Sequence, residues 1–411
     1  MNLAAISVAA LVLAVLVSCV SRLNVGVLAI AMAWIVGVFI GGMPVSTIMA
    51  GFPSQLFLTL TGVTLLFTLA QCNGTLEQLT RRAVSVCRGN RGAIPIMFFL
   101  TAAALSSIGP GNIATAALVV PLAMATAART GIPLFLMAIM AGNGANAGGL
   151  SPFAPTGIIV SGLMARNGLA GYEVQTYVYN LLAHMAVAFG GYALFGGLKL
   201  FAAGDASAAD AIGGDIQPLE RRHWITIAVI GALIVSVLVL NVHVGMAAFA
   251  GAVILVLSGA GDDGEAVKRM PWRVIVMVCG VTVLIALVEK AQGIDLLVSL
   301  VAKVATPESV TGVVALLTGL VSVYSSTSGV VLPAFLPMVP GLAAELPGAS
   351  ALAIASSMNI GGHLVDVSPL STIGALCLTG SADGSRTLFN QLLAWGLSMS
   401  IVGALLCYLV F

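Results

Sequence analysis

Two stretches constrain this chain more than any others. From Ser106 to Gly157 it reads SSIGPGNIATAALVVP, an apolar helix, then AGNGANAGGLSPFAPTG; from Ser322 to Gly374 it reads SVYSSTSGVVLP, an apolar helix, then NIGGHLVDVSPLSTIG. Gly, Ser, Thr, Asn and Pro stand there inside long hydrophobic surroundings. Lipid cannot satisfy backbone polar groups, so irregular backbone at membrane depth survives only where protein buries it or it lines a cavity.

Composition supplies the surroundings. The 411 residues are 59% hydrophobic and 8% charged, with a mean hydropathy of +1.10, against roughly 25% charged residues in a soluble domain. A net charge of +1 without a basic patch argues against nucleic acid or another polyanion as partner. The six cysteines are scattered without CxxC spacing and read as small buried hydrophobes rather than metal ligands. Leu16-Val17-Ser18-Cys19 resembles a lipoprotein cleavage box, but Met1-Asn2 offers no positive charge ahead of it, so the segment is expected to remain as a first span.

Apolar runs near 20 residues suit helices crossing a core of about 30 Å. Spans are expected at 3–21, 25–43, 53–72, 133–165 (broken around Gly142–Ser151) and 176–198, with a polar loop at 73–92 and a re-entrant helical hairpin at 93–128. After a cytoplasmic linker, 199–221, the plan recurs: spans at 222–240, 243–259, 271–290, 349–380 (broken) and 388–411, with a hairpin at 310–341. Pro53 with Gly62-Val63-Thr64 recurs as Pro271 with Gly280-Val281-Thr282. Thr115 with Pro121 recurs as Thr327 with Pro333, and Ser151-Pro152 with Gly157 recurs as Ser368-Pro369 with Gly374. Matched anchors in one order indicate an internal repeat.

The expected fold is therefore an all-α polytopic membrane protein of two inverted repeats, 1–198 and 222–411, each with five transmembrane helices (one broken) and a re-entrant hairpin. Five crossings are an odd number, which is what inverts the second half. An external N-terminus puts thirteen of the sixteen Lys and Arg on one side and leaves Arg166, Lys290 and Lys303 on the other. That asymmetry makes the first side cytoplasmic and both termini extracytoplasmic.

Interrupted helices in matching places of two halves point to the binding site of a secondary transporter. Ser151-Pro152 and Ser368-Pro369 read as helix starts, serine capping free N–H groups and proline fitting the first turn. Asn112, after Pro110-Gly111, and Ser325-Ser326-Thr327 read the same way at the hairpin tips. Four half-helix N-termini converging at the midplane favour an anion through their partial positive charge and unsatisfied N–H donors. No basic residue falls in these stretches, so dipoles, hydroxyls, amides and co-bound cations are left to hold it. Freed carbonyls with Ser107, Asn112 and Asn143 form a hard-oxygen set suited to an alkali cation.

These residues also carry a resemblance. Gly111-Asn112-Ile113-Ala114-Thr115, six residues before Pro121, resembles the Ser-Asn-Thr hairpin motif of the divalent anion–sodium symporters, and the two Ser-Pro breaks resemble that family's Thr-Pro-Pro-Asn breaks. The block from Gly149 to Gly157, GLSPFAPTG, is closer to bacterial malonate/dicarboxylate carriers of the same ion-transporter superfamily. The resemblance implies an inner-membrane homodimer working as an elevator, carrying malonate or a four-carbon dicarboxylate with sodium and needing no cofactor. By position it puts Ser107, Gly111, Asn112 and the Leu150 carbonyl at a first sodium site. Ser325, Ser326 and the Val367 carbonyl fall near a second, and Thr115, Ser151, Thr327 and Ser368 near substrate. The sequence departs from the motif at Gly111 and Ile113, has no asparagine in the second hairpin and lacks both Pro-Pro-Asn ends.

His363 and Asp366 lie in the second break. An ionisable group at membrane depth is a functional candidate: Asp366 for a cation or a proton, His363 for a hydrogen bond to substrate. The glycines and asparagines of 142–149 either line the site or let helices pack closely, and His184 reads as structural. Rival expectations are a proton-coupled carrier using Asp366 and the membrane subunit of a binding-protein-dependent system. An enzyme is not expected, since His363-x-x-Asp366 lacks the HExxH zinc pattern and any nucleophile–base pair.

Overall fold

A computed structural model describes residues 2–20, 23–85, 90–201, 218–379 and 386–411. Most of the 199–221 linker, together with Arg22, Cys87 and Arg88, lies outside these residues. Everything with regular structure among the described residues is helical. The first half runs α1 (Leu3–Val20), α2 (Val25–Trp34, continued by a π-helical turn at Ile35–Ile40), α3 (Val45–Met49), α4 (Ser54–Cys72), α5 (Thr75–Ser85), α6 (Ala93–Ile108), α7 (Gly111–Thr130), α8 (Leu134–Gly148), α9 (Pro155–Arg166) and α10 (Glu173–Leu194). The second begins α11 (Arg221–Leu240), α12 (Val244–Leu257), α13 (Asp263–Arg269), α14 (Trp272–Lys290), α15 (Gly293–Ala302) and α16 (Val310–Ser322). A π-helical segment, Thr327–Val331, then leads through α17 (Leu332–Phe335), a 3₁₀ turn and α18 (Val339–Glu345) to α19 (Ala351–Leu364), α20 (Thr372–Thr379) and α21 (Arg386–Val410). Six helices among the described residues are long and apolar enough to cross a membrane, and the chain is a multi-pass membrane protein.

The expected spans are all helical, and two expectations need correction. The loop at 73–92 contains α5, which buries Leu76 and Thr80 and exposes Glu77, whose carboxylate pairs with Arg81 at 2.8 Å. Its counterpart α15 buries Ile294, Val298 and Val301. Both are short helices with one apolar face, too polar or too brief to register as spans. The first break also starts later than Gly142. The helix runs on to Gly148 because Gly144 and Gly148 press against α6: a Cβ there would stand 2.5 Å from the Phe99 carbonyl oxygen and 2.4 Å from that of Ala103. Close packing therefore uses these glycines, the role small residues have between membrane helices. Of the cysteines, Cys279, Cys377 and Cys407 are buried and unbridged.

The two halves lock through reciprocal glycine contacts. Val25-Gly26 opens α2 and Val244-Gly245 opens α12. Helix α2 packs on α14 of the other half, where a Cβ on Gly280 would meet the Gly26 carbonyl at 2.2 Å and one on Gly26 would meet the Val276 carbonyl at 2.3 Å. Helix α12 packs on α4 in the same way, a Cβ on Gly62 standing 2.4 Å from the Gly245 carbonyl. Each half thus lends a helix to the other's long helix.

Asn24 secures one of these contacts. Its Oδ1 accepts from the Gly26 N–H at 2.9 Å, capping α2, while its Nδ2 donates to the Arg273 carbonyl at 2.9 Å, tying α2 to the start of α14. Gly280→Leu should therefore lower the thermal midpoint of the purified protein by several degrees or abolish folding, since overpacking costs about 1–3 kcal/mol or more. Gly231→Ala, with open space around that position, should leave the midpoint unchanged or raise it; equal losses in both variants would remove the contact from the account of stability.

Candidate functional site

The two helix-pair tips and the second break meet around one cavity of about 480 Å³. The first tip is made by Gly109 and Gly111, whose φ values of +149° and +78° are left-handed conformations natural to glycine. They turn the chain between α6 and α7 and set Asn112 and Ile113 in the cavity wall. From the second tip come Tyr324, Ser325, Ser326, Thr327 and Ser328, and from the second break Asp366, Ser371, Thr372 and Ile373. Asn24 and Arg273 complete the polar lining.

The first residues of three helical segments, α7, the π-helical Thr327–Val331 and α20, therefore share this cavity. The start of α9, Pro155 and Thr156, opens instead into an adjoining cavity of about 250 Å³ that meets the first at Asn112 and Ile113. Gly111 lines that adjoining space.

Two hydrogen-bonded clusters frame the site. In the first half the Asn112 Nδ2 donates to Asn146 Oδ1 at 3.0 Å, and Thr156 Oγ1 donates to Asn112 Oδ1 at 3.1 Å. Asn180 Nδ2 donates to the Asn146 carbonyl at 2.9 Å. In the second half Thr327 Oγ1 donates to Asp366 Oδ1 at 2.6 Å. Thr327 also bonds Ser322 Oγ; a hydroxyl has one proton to give, so Ser322 is the donor when Thr327 serves Asp366. Ser371 Oγ donates to the Asp366 carbonyl.

The helix caps differ from those expected. Ser151-Pro152 and Ser368-Pro369 do not begin helices but turns, closed by Ala154 N–H on the Ser151 carbonyl and by Ser371 N–H on the Ser368 carbonyl, each at 2.9 Å. Ser-Pro favours turn initiation as well as helix starts. The caps lie three residues on: Ala154, without a side-chain bond, and Ser371, whose Oγ accepts the Gly374 N–H at 3.3 Å. Asn112 likewise sits inside the first turn of α7 rather than capping it. Ser326 does cap its segment, accepting the Gly329 N–H at 3.2 Å.

Of the candidate residues, the main cavity gathers Asn112, Ser325, Ser326, Thr327 and Asp366. Others lie behind its walls. Ser151 Oγ donates to the Ser107 carbonyl at 2.6 Å, and the Ser107 hydroxyl pairs with Tyr177 at 2.9 Å. Asn143 is fully buried, its Oδ1 2.9 Å from His184 Nδ1. His363 is fully buried, its Nδ1 donating to the Asn359 carbonyl at 2.8 Å. Thr115, Leu150, Val367 and Ser368 are buried beside the breaks without lining the cavity. Sequence reasoning missed Asn24, Arg273, Ser371 and Tyr177. Spacing could have found only Ser371, as one of the two hydroxyl residues, with Thr372, between Ser368-Pro369 and the apolar run.

With this geometry in view, three comparisons bear on the chain. Residues 1–149 match the family model described as the N-terminus of the dicarboxylate carrier protein MatC. No curated protein matches. Among solved structures, that of the YdaH transporter from Alcanivorax borkumensis aligns with a TM-score of 0.54 and 15% identity, covering 88% of this chain and 86% of that one; at such identity the likeness is one of fold. The proteins matched are a carrier and a transporter, not enzymes. The resemblance to dicarboxylate carriers is thus borne out over residues 1–149, and the chain as a whole shares its fold with a membrane transporter.

Proposed function

We propose that the protein is a sodium-coupled symporter of a small dicarboxylate, malonate or a four-carbon acid. The convergence of three helix N-termini and the Asp366 carboxylate on one cavity carries the reading. The N-termini supply N–H donors and partial positive charge for a carboxylate. Asp366 with the hydroxyls around it supplies hard oxygen for an alkali cation. The family match over residues 1–149 supports the substrate class. The buried position of Asp366 also favours a second reading, in which it carries a proton.

The inverted-repeat, re-entrant and elevator parts of the proposal rest on packing and on the resemblance. The end of α4 and the start of α14 line one cavity, while the start of α4 and the middle of α14 line another, so the two long helices run antiparallel. Helices also sort by packing into two bodies. One holds α1, α2, α4, α11, α12 and α14, the other α6, α7, α8, α10, α16, α19 and α21. The second body holds α6, α7 and α16, three of the helices that run into the two tips, and is the one proposed to move; a homodimer through the first body and a place in the bacterial inner membrane follow from the resemblance.

Uptake of labelled malonate and succinate by proteoliposomes, with sodium replaced by choline at constant pH gradient, tests the function. Loss of uptake in choline is expected. Uptake that ignores sodium and follows the pH gradient would establish the proton reading instead.

Asp366→Asn keeps an acceptor for Thr327 and removes the charge. It should raise the sodium half-saturation at least tenfold, about 1.4 kcal/mol, and an unchanged sodium dependence would take Asp366 out of the cation site. Because Ser371 rather than Ser368 caps α20, Ser371→Ala should raise substrate half-saturation by about twofold to thirtyfold, the equivalent of losing a cap worth about 0.5–2 kcal/mol. Ser258→Ala, outside the site, is the control; a Ser371→Ala protein with parental affinity would detach the cap from substrate binding. For orientation, an alkaline phosphatase fused after Phe411 should be active, since the charge asymmetry puts both termini outside the cytoplasm. Activity only of a cytoplasmic reporter at that position would overturn the inverted arrangement.

A further inference from the structure

Two buried histidines take no part in the site described above. His184, on α10, and His363, near the end of α19, are fully buried and line neither the site cavity nor the adjoining one. They come from different halves, and α10 packs on both α8 and α19. The two rings are close enough for a charge on one to act on the other.

Their partners fix where the ring protons sit. His363 Nδ1 lies 2.8 Å from the Asn359 carbonyl, which can only accept, so that nitrogen carries the proton. His184 Nδ1 lies 2.9 Å from Asn143 Oδ1. The Asn143 amide is oriented by its Nδ2, which donates to the Ile139 carbonyl at 2.8 Å, so here too Nδ1 is the donor. In an imidazole with one proton the other nitrogen keeps a bare lone pair. Both Nε2 atoms are therefore acceptors, and neither has a hydrogen-bond partner among the described residues. The neighbours share the shortage. Asn180 and Asn359, each four residues before one of the histidines, leave Oδ1 unpartnered, against one unpartnered amide donor on α8, Asn146 Nδ2.

A group that answers both lone pairs has to donate twice, and the surroundings favour one without charge. Leaving a buried acceptor unmet is unfavourable, and a buried water bonded to such groups is the usual remedy in proteins. A cation would also meet the lone pairs, but an isolated charge in an apolar interior costs far more than a polar group does. None of α8, α16, α19 and α21 carries an Asp or Glu to balance it. Glu173 stands eleven residues before His184, about 16 Å along the axis of α10. Asp366 faces the site cavity and is engaged there by Thr327.

We propose that His184 and His363 hold a buried water between them, one O–H directed at each Nε2. The water joins α10 of the first half to α19 of the second by a neutral link, inside the body proposed to move. The link does not depend on which cargo the protein carries.

Nitrogen-15 spectra of the purified full-length protein, labelled at histidine, test it at neutral pH. The four histidines follow Ala183, Arg222, Val242 and Gly362, so labelling each pair of residue types assigns every ring without a substitution. His184 and His363 should both show a protonated Nδ1 and an unprotonated Nε2 that accepts a hydrogen bond, and magnetisation should pass from water protons to both Nε2 atoms. A ring protonated on both nitrogens, or a proton on either Nε2, overturns the proposal. So does the absence of transfer from water, and so do signals that move when a chelator is added, which would put a metal ion in the water's place. His184→Phe fills the space of the ring without its nitrogen. It should reduce the transfer from water to His363 Nε2 several-fold, because a shared water loses one of its two acceptors. Undiminished transfer in that folded variant would show that the water is not shared; if the variant does not fold, the spectra of the parent protein decide alone.

Discussion

Every helix broken at membrane depth releases main-chain N–H and C=O groups that lipid cannot take up, and this structure is arranged around answering them. At the first break Gly149 N–H bonds the Asn146 carbonyl, Ser151 N–H the Gly148 carbonyl and Ala154 N–H the Ser151 carbonyl. The second break repeats the series with Asp366 on His363, Ser368 on Val365 and Ser371 on Ser368. Consecutive tight turns thus satisfy much of the backbone locally, in both halves at corresponding residues. The donors left at the start of the next helix are the ones that can face a ligand, and protein rather than lipid must surround them.

That enclosure depends on close helix approach. Gly144 and Gly148 bring α8 against α6, and in the other half Gly361 brings α19 against α16, where a Cβ would stand 2.3 Å from the Ala315 carbonyl. The exchange of α2 and α12 between halves uses the same device at Gly26, Gly62, Gly245 and Gly280. Side chains at these positions would hold the backbones apart and open the breaks to lipid. Small residues here thus serve function indirectly, by keeping the environment of the breaks proteinaceous.

This explains what could be read in the sequence. The helical class, the matched halves and the two interruptions are legible because lipid imposes long apolar runs and makes any polar departure conspicuous. Asn112, Ser326, Thr327 and Asp366 stood out for that reason, and the structure brings them together. The extent of the first break was misjudged because glycine reads equally as a breaker and as a packing surface, and Gly142–Gly148 is the latter. Ser151 and Ser368 read as caps in the sequence because Ser-Pro can open a turn or a helix, a choice made by bonds to Ala154 and Ser371 that spacing does not reveal. Arg273 was hidden for a different reason: as a charge at the start of a span it carries an ordinary topological meaning, and only the packing of α2 on α14 puts it in the wall of the site.

The halves agree in geometry and differ in charge. Taking Ser151 with Ser368, Asp366 stands where the first half has Gly149, and His363 where it has Asn146; taking Pro53 with Pro271, Arg273 stands where it has Gln55. Both formally charged residues of the site cavity, Arg273 and Asp366, therefore come from the second half, while the first contributes Asn24 and Asn112. Amide clusters such as Asn112–Asn146–Thr156 can coordinate or hydrogen-bond but cannot neutralise, whereas Asp366 can do both. A cation resting at the second-half cluster has a formal counter-charge before any substrate arrives, and one resting at the first-half cluster has none until a carboxylate comes beside it. The recurrence of the backbone thus accounts for two matching breaks, and a few side-chain differences between the halves are enough to make the places they build electrostatically unlike.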